Sequence, residues 1–285
     1  MASAAQAITA TAAQLAEVGI DTAHYDARLL VAEVLGVEMR RLPSFHHAEL
    51  SEAEAAALAV MLARRLDREP MSHILGRRGF WTIELRVTAD TLDPRPDTET
   101  LVEAVLAALD DRGRARRLLD LGTGTGCILL ALLSELGHAT GLGVDASEAA
   151  LEVAQANAGS LGLADRARFV LGDWGKEQDG LFDVIVSNPP YIPDGEIDGL
   201  EPEVARYEPR SALAGGPDGL DCYRALIPDI ARLLAPGGIA ALEVGEGQAA
   251  EVSALLAAAG LPGARVARDL GGIDRCVIVR RSSEP

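Results

Sequence analysis

Leu118-Leu119-Asp120-Leu121-Gly122-Thr123-Gly124-Thr125-Gly126 leads from a short apolar run, through three alternate glycines, into a helix-patterned stretch from Cys127 to Leu136. Glycine lets the backbone turn sharply and approach a ligand at the N-terminus of the following helix. Downstream, further short apolar runs alternate with helical segments: Gly141–Asp145, Arg168–Leu171, Val184–Ser187, Ala240–Val244 and Cys276–Val279. Strands spaced by helices imply right-handed crossovers and an α/β fold with a doubly wound, mostly parallel sheet. Ligands of such sheets bind outside the carboxyl ends of the strands, where the glycine run lies.

Upstream the pattern differs. Tyr25 to Leu35 carries apolar residues at three-to-four spacing and stops at Gly36, the signature of an amphipathic helix. Ser51 with Glu54 has the form of a capping box, opening a helix that runs to Leu66 before Pro70. The period then changes to two: Trp81, Ile83, Leu85 and Val87 alternate with polar residues, and Gly76-Arg77-Arg78-Gly79 would serve as the turn into that strand. Pro94-Arg95-Pro96-Asp97 closes the stretch and begins a helix with Leu101, Val102, Val105 and Leu106 on its apolar face.

The 285 residues include 26 basic and 43 acidic side chains, so the formal charge is 26 − 43 = −17. That surplus of acid repels a nucleic-acid backbone from most of the surface. Cys127, Cys222 and Cys276 lie far apart, without a Cys-x-x-Cys pair, so neither a disulfide framework nor a structural zinc site is expected. No run of about 18 apolar residues occurs, and the N-terminus lacks a basic region before an apolar core, so a cytoplasmic protein that does not span a membrane is expected. His24, His46, His47, His73 and His138 form no ligand set by spacing, and no metal is expected.

Asp145, at the end of the next apolar run and 25 residues after Asp120, can accept hydrogen bonds from both hydroxyls of a ribose. A dinucleotide site and an adenosylmethionine site share this much. The Gly-x-Gly-x-Gly spacing of Gly122, Gly124 and Gly126, with Thr123 and Thr125 between them and Asp120 before them, tilts towards S-adenosylmethionine. That cofactor brings no diphosphate to cradle, and its sulfonium and amino group favour nearby carboxylates. Gly172-Asp173-Trp174 places a carboxylate and an indole at the same sheet edge, where Trp174 either covers an adenine face or packs a rim loop.

Asn188-Pro189-Pro190-Tyr191 follows the fourth apolar run of this series. Two prolines contribute no backbone donors, so the loop offers carbonyl oxygens on a rigid frame. The Asn188 side-chain oxygen and the Pro189 carbonyl can together hold both hydrogens of a planar NH2 group, and Tyr191 can stack on a flat amide or base.

The chain resembles class I S-adenosylmethionine-dependent methyltransferases, which are Rossmann-like, and more narrowly the bacterial release factor glutamine methyltransferase family. The resemblance rests on Asp26-Ala27-Arg28-Leu29-Leu30, Ile74-Leu75-Gly76 with Phe80-Trp81, Pro94 to Glu99, Asp120 to Gly126 and Asn188 to Tyr191. It continues through Glu208-Pro209 with Gly215 to Asp221, and Asp269 to Arg275. It implies a helical substrate-binding domain over 1–75, a β-hairpin linker over 76–93 and a methyltransferase domain over 94–285. It also implies methylation of the glutamine amide nitrogen in the Gly-Gly-Gln motif of peptide chain release factors, with Asn188, Pro189 and Tyr191 at the chemistry and Pro190 beside them. An N6-adenine DNA or RNA methyltransferase would use the same tetrapeptide on a flipped base and is the alternative. No direct nucleic-acid partner is expected; the oligomeric state is unassigned.

Leu92-Asp93-Pro94 departs from the Leu-Ile-Pro expected of the family, and Ser72-His73 stands where an aromatic often precedes Ile-Leu-Gly. Arg95 and Glu99 receive no role. Cys127 begins a helix, where a thiol pKa can fall, but packing behind the glycine run is the simpler expectation. Glu243 and Glu246 are expected to be a solvated pair of acids.

Overall fold

The computed structural model describes residues 2–283. It divides into two compact units, one of Met1–Gly76 with Glu201–Tyr207 and one of Arg77–Leu200 with Glu208–Pro285. The division is therefore not a simple cut along the chain. A seven-residue segment far downstream belongs with the helices, and the hairpin belongs with the sheet.

The first unit holds α1 (Ala4–Glu17), α2 (Ala23–Val34), α3 (Glu52–Leu66), α4 (Met71–Leu75) and, from the downstream segment, α8 (Pro202–Ala205). Capping boxes start both long outer helices. Ser3 and Gln6 close reciprocally at α1, as do Ser51 and Glu54 at α3, satisfying amide donors that a helix start leaves free. Leu15, Leu30, Val31, Leu42 and Leu62 form the core. A buried ion network ties the downstream segment in. Arg65 donates from Nε to Asp26 at 2.8 Å and from Nη1 to Glu203 at 2.9 Å; Arg68 meets the same Glu203 at 2.8 Å. Asp26 and Arg65 are both buried, and Arg65 keeps Glu203 if Asp26 is lost, but removing Arg65 would strand the Asp26 charge, typically at about 3–5 kcal/mol.

The second unit begins with the hairpin β1 (Arg77–Phe80) and β2 (Ile83–Arg86). Gly76 ends α4 in the left-handed conformation, and the turn falls at Trp81-Thr82, with Trp81 itself at φ 54°. Arg77–Gly79, expected as a turn, is thus strand, because the left-handed residues on either side set its ends. Then come α5 (Glu99–Ala108), β3 (Arg117–Leu121), α6 (Cys127–Glu135), β4 (Thr140–Asp145), α7 (Glu148–Ser160), β5 (Ala167–Leu171) and β6 (Phe182–Ser187). The chain finishes with α9 (Asp221–Leu233), β7 (Leu234–Glu243), α10 (Ala249–Ala258), β8 (Arg265–Arg268) and β9 (Asp274–Arg280). Strand order is β5-β4-β3-β6-β7-β9-β8, parallel from β5 to β7 and antiparallel at β9 and β8.

Alternation along each strand feeds two cores. Leu118, Val184, Val186 and Ile239 face α5 and α6, whereas Leu119, Leu121, Ile185 and Leu242 face α9 and α10. In α6 the run Ile128–Leu133 is buried throughout, each leucine contributing about 1.5–3 kcal/mol by leaving water. The chain enters the sheet at β3, walks outward to β5 and returns to β6. The order therefore reverses between β3 and β6, where a doubly wound sheet opens a crevice at its carboxyl edge.

Candidate active site

The glycine loop sits at that crevice. Gly122 and Thr123 donate their amides to the Val144 carbonyl at 2.8 and 3.0 Å, and Gly126 donates to Thr123 at 2.8 Å. Gly122, Gly124 and Gly126 all have positive φ, of 73°, 53° and 80°, which a side chain would strain. A Cβ on Gly124 would meet no heavy atom within 4 Å, so the loop presents bare backbone to open space. Asp145 accepts from Gly124 N at 2.8 Å and from Ser147 N at 3.0 Å.

A cavity of about 340 Å³ lies against this loop, wholly within the second unit. Gly122 to Thr125, Asp145, Asp173 and Trp174 form one wall; Asn188 and Pro190 contribute to another. Trp174 holds φ 55°, an uncommon conformation for a bulky residue, and its ring stands 3.4 Å from where a Gly122 Cβ would be. Asp173 is exposed and paired with Lys176.

Four expected site residues do not line the cavity. Asp120 lies beneath the loop, 1% exposed, with Thr123 donating to its Oδ2 at 2.8 Å while Oδ1 has no partner. Burial pushes its carboxyl up to about 7, and the neighbouring Asp145 charge adds to the shift. Gly126 caps α6, and Pro189 is buried. Tyr191 points its hydroxyl at Glu243 Oε1, 3.3 Å away, and packs against the core instead of facing the cavity as a stacking surface.

Glu243 was expected in solvent and is 1% exposed, because it ends β7 with the sheet on either side. Only Glu246 is exposed. Burial pushes the Glu243 carboxyl up to about 7, opposed by the Thr98 hydroxyl and Arg275. Cys127 gains nothing from its helix start: burial, with the Asp120 charge, pushes the thiol up to about 12.

Other residues, some of them named from the sequence without a role, take defined partners. Thr98 is 2% exposed, lines the cavity and accepts from Asn188 Nδ2 at 3.3 Å. Glu208 receives Asp93 N and Arg95 Nη2, both at 3.1 Å, which gives Arg95 a partner; burial holds the Glu208 carboxyl up at about 7. Asp93, at the departure from the family pattern, is 5% exposed with Oδ1 unpartnered. Glu99 accepts the Trp81 amide at 2.9 Å and so braces the hairpin turn. Asn157 is fully buried and joins the hairpin to the glycine loop, accepting from Arg86 N at 2.7 Å and donating to Arg86 O at 3.0 Å and Thr125 O at 2.9 Å. Its signal was a polar residue on the buried face of an Ala-rich helix.

Residues 113–259 match the Methyltransferase domain family, and residues 6–76 match the PrmC N-terminal domain. Among solved structures, the hMettl16 catalytic domain in complex with MAT2A 3'UTR hairpin 6 aligns over 82% of this chain and 83% of its own. Its TM-score is 0.57 at 18% identity, a likeness of fold. A glycine loop and an acid-tipped second strand at the crevice are shared with dinucleotide-binding sheets; the match to the Methyltransferase domain family makes this chain a class I S-adenosylmethionine-dependent methyltransferase. The chain is 52% identical over 92% of its length to the release factor glutamine methyltransferase of Rhodospirillum rubrum, spanning 80% of that protein. It is 49% identical over 96% of its length to that of Caulobacter vibrioides, spanning 94%. The chain belongs to the release factor glutamine methyltransferase family.

The residues present fit the cofactor. Bare backbone at Gly124 would admit close approach of a nucleoside, Asp145 would supply an acceptor, and the unpartnered Oδ1 of Asp120 would, when ionised, supply negative potential for a cationic group. Among the described residues, no group of three or more His, Cys, Asp or Glu is placed to hold a metal ion, and no helix is long and apolar enough to cross a membrane.

Proposed function

We propose that this protein transfers the methyl group of S-adenosylmethionine to the side-chain amide nitrogen of the glutamine in the Gly-Gly-Gln motif of peptide chain release factors, in the cytoplasm. The observation that carries the reading is the sharing of one cavity by the glycine loop and by Asn188 and Pro190. Membership of the family supports the same substrate. The adenine alternative is not favoured, since relatives at 40–52% identity are named for glutamine.

S-adenosylmethionine supplies an electrophilic methyl on a cationic sulfur. On the protein side, Asp145 accepts the ribose hydroxyls, Trp174 covers the adenine face with Asp173 at the rim, and Gly122 to Gly126 admit the nucleoside against bare backbone. Asp120, beneath, provides the negative field. Asn188 Oδ1 and the Pro189 carbonyl accept the two hydrogens of the substrate amide. An amide nitrogen is a poor nucleophile because its lone pair is delocalised into the carbonyl, and two acceptors on its hydrogens oppose that delocalisation. Holding nitrogen and methyl at about 3 Å supplies several kcal/mol through orientation alone. The proton becomes acidic only as the new bond forms, so it leaves to solvent and no strong base is needed. Tyr191 braces the loop through Glu243, Pro190 walls the cavity, and the helical unit receives the release factor.

The test pairs labelled S-adenosylmethionine with a purified release factor in one reaction and duplex DNA in another. Transfer to the release factor alone is expected; transfer to DNA alone would overturn the reading.

A further inference from the structure

Ser187 of β6 stands opposite Leu242 of β7, and Leu242 opposite Val277 of β9, so Asn188 and Arg275 leave the sheet at the same edge. Because β9 is antiparallel, the turn that precedes it, residues 269–273, projects from that edge too. The turn is closely braced. Asp269 donates its amide to Ile273 O, accepts Gly272 N at its carbonyl and accepts Ile273 N at Oδ1, each at 3.0 Å. Its Oδ2 receives Nε and Nη2 of Arg275, both at 3.2 Å, and the Arg275 guanidinium reaches Asp97 at 3.5 Å. Asp97 precedes Thr98, which lines the cavity and accepts from Asn188. The turn is thus tied to the cavity wall.

At its tip stands Leu270, 109% exposed, whereas the other exposed large apolar side chains among the described residues lie between 43% and 65%. Gly271 and Gly272 follow it and bring no side chain to shade it. A singly exposed apolar residue is ordinary on a protein surface, so exposure alone decides nothing. Position and bracing do. The bonds of Asp269 hold the turn in one shape with the leucine outward, and β9 lies two strand spacings, about 10 Å, from β6. A stable protein interface covers about 800 Å² on each partner, a disc of about 16 Å radius. A protein of that footprint centred on Asn188 reaches Leu270. We propose that Leu270 is a docking knob for the protein substrate, received by an apolar depression on the release factor beside its Gly-Gly-Gln loop. The proposal rests on the reading of the release factor as substrate. A leucine gains by leaving water against another apolar surface, which a folded protein offers and a phosphate backbone does not. Full burial of one such side chain is equivalent to about tenfold or more in affinity. Leu270 does not line the cofactor cavity, so it acts on capture of the substrate and not on the chemical step.

Leu270→Ser removes the apolar surface; Leu270→Met keeps it. A fully exposed side chain can be replaced at little cost to the fold. Steady-state kinetics with purified release factor at saturating S-adenosylmethionine, beside calorimetric affinity for S-adenosylhomocysteine, separate docking from the cofactor site. Leu270→Ser should raise KM for the release factor about tenfold or more, with kcat and S-adenosylhomocysteine affinity within about twofold of wild type, and Leu270→Met should restore most of the KM. A Ser variant with KM within about twofold of wild type, one that loses kcat at unchanged KM, or a Met variant as impaired as Ser overturns the proposal. Sedimentation of the wild-type chain alone should show the same species as Leu270→Ser; dimers that the substitution disperses would assign the knob to a second copy and overturn it. A wild-type chain that methylates no release factor overturns the functional reading, and the docking with it. An active wild-type chain beside an indifferent Leu270→Ser overturns the docking alone.

Discussion

Asp145 accepts the backbone amide of Gly124 at 2.8 Å, so the acid that ends β4 also holds the middle glycine of the loop that follows β3. One carboxylate thereby shapes the loop and faces the cavity that the loop lines. Its two oxygens have lone pairs beyond those used by Gly124 and Ser147, and these are the acceptors assigned to the ribose. Asp145→Ala should lose charge-assisted bonds worth about 1.5–3 kcal/mol each and weaken cofactor binding by at least about tenfold. Calorimetry finding equal affinity in the variant would remove Asp145 from the site.

Asp120 should make cofactor affinity depend on pH. Burial raises its carboxyl to about 7 in the protein alone, above the value of an unfolded chain. A raised folded-state value means stability present below the unfolded value and lost as pH rises through about 7, when an unpaired buried charge forms. A cationic ligand compensates that charge. S-adenosylmethionine should therefore bind more weakly as pH falls below about 7, with proton release on binding, and should raise the melting temperature more at about pH 8 than at about pH 6. Asp120→Asn should flatten both trends. An unchanged pH profile in that variant would assign the titration to another group, Glu208 and Glu243 being the two other carboxyls raised to about 7.

Asn157 should matter for folding out of proportion to its size. Its side chain satisfies three backbone groups, the buried Thr125 carbonyl and the part-buried amide and carbonyl of Arg86. Asn157→Leu leaves all three unpaired, and at about 1–3 kcal/mol for each unmet group the unfolding free energy should fall by several kcal/mol. Urea denaturation with a loss under about 1 kcal/mol would show that water replaces the side chain at this junction.

Gly143→Ala probes the seat of Asp120. A Cβ there would stand 2.8 Å from Thr123 Oγ1 and 2.6 Å from the Phe169 ring, so the Thr123 hydroxyl that donates to Asp120 and the Phe169 ring are crowded together and must give. Overpacking of this kind destabilises by about 1–3 kcal/mol, and loss of the Thr123 bond should push the Asp120 carboxyl higher still. Thermal melts at two pH values check both effects together.

The sheet and its ligand edge were legible in the sequence because each depends on local pattern. Short apolar runs spaced by helical segments mark the strands, and the glycine cluster after the run Leu118–Leu121 marks the crevice. Asp145 closes such a run, Asn188 directly follows one, and Trp174 follows one after Gly172-Asp173, so all three could be read for the same reason. Glu243 could not. A carboxylate at a strand end looks solvated until the neighbouring strands and Tyr191 are seen to enclose it. Thr98 and Asn157 act across 90 and 71 residues of chain, a separation that periodicity does not report. The grouping of Glu201–Tyr207 with the helices depends on Glu203 meeting Arg65 and Arg68, likewise a long-range ion pair.

Asn188 carries the chemistry in this account. Asn188→Ala should lower kcat by about 100-fold or more, about 2.7 kcal/mol, with cofactor affinity nearly unchanged. A variant that turns over normally would leave the amide grip without its acceptor.

The most direct measurement is mass mapping of a purified release factor after incubation with this protein and S-adenosylmethionine. The prediction is a single added methyl group, located on the glutamine of the Gly-Gly-Gln motif and reduced about 100-fold in initial rate when Asn188→Ala replaces the wild-type chain. A methyl group found at another residue, or an unmodified Gly-Gly-Gln glutamine beside methylated adenine in a nucleic-acid control, would contradict it.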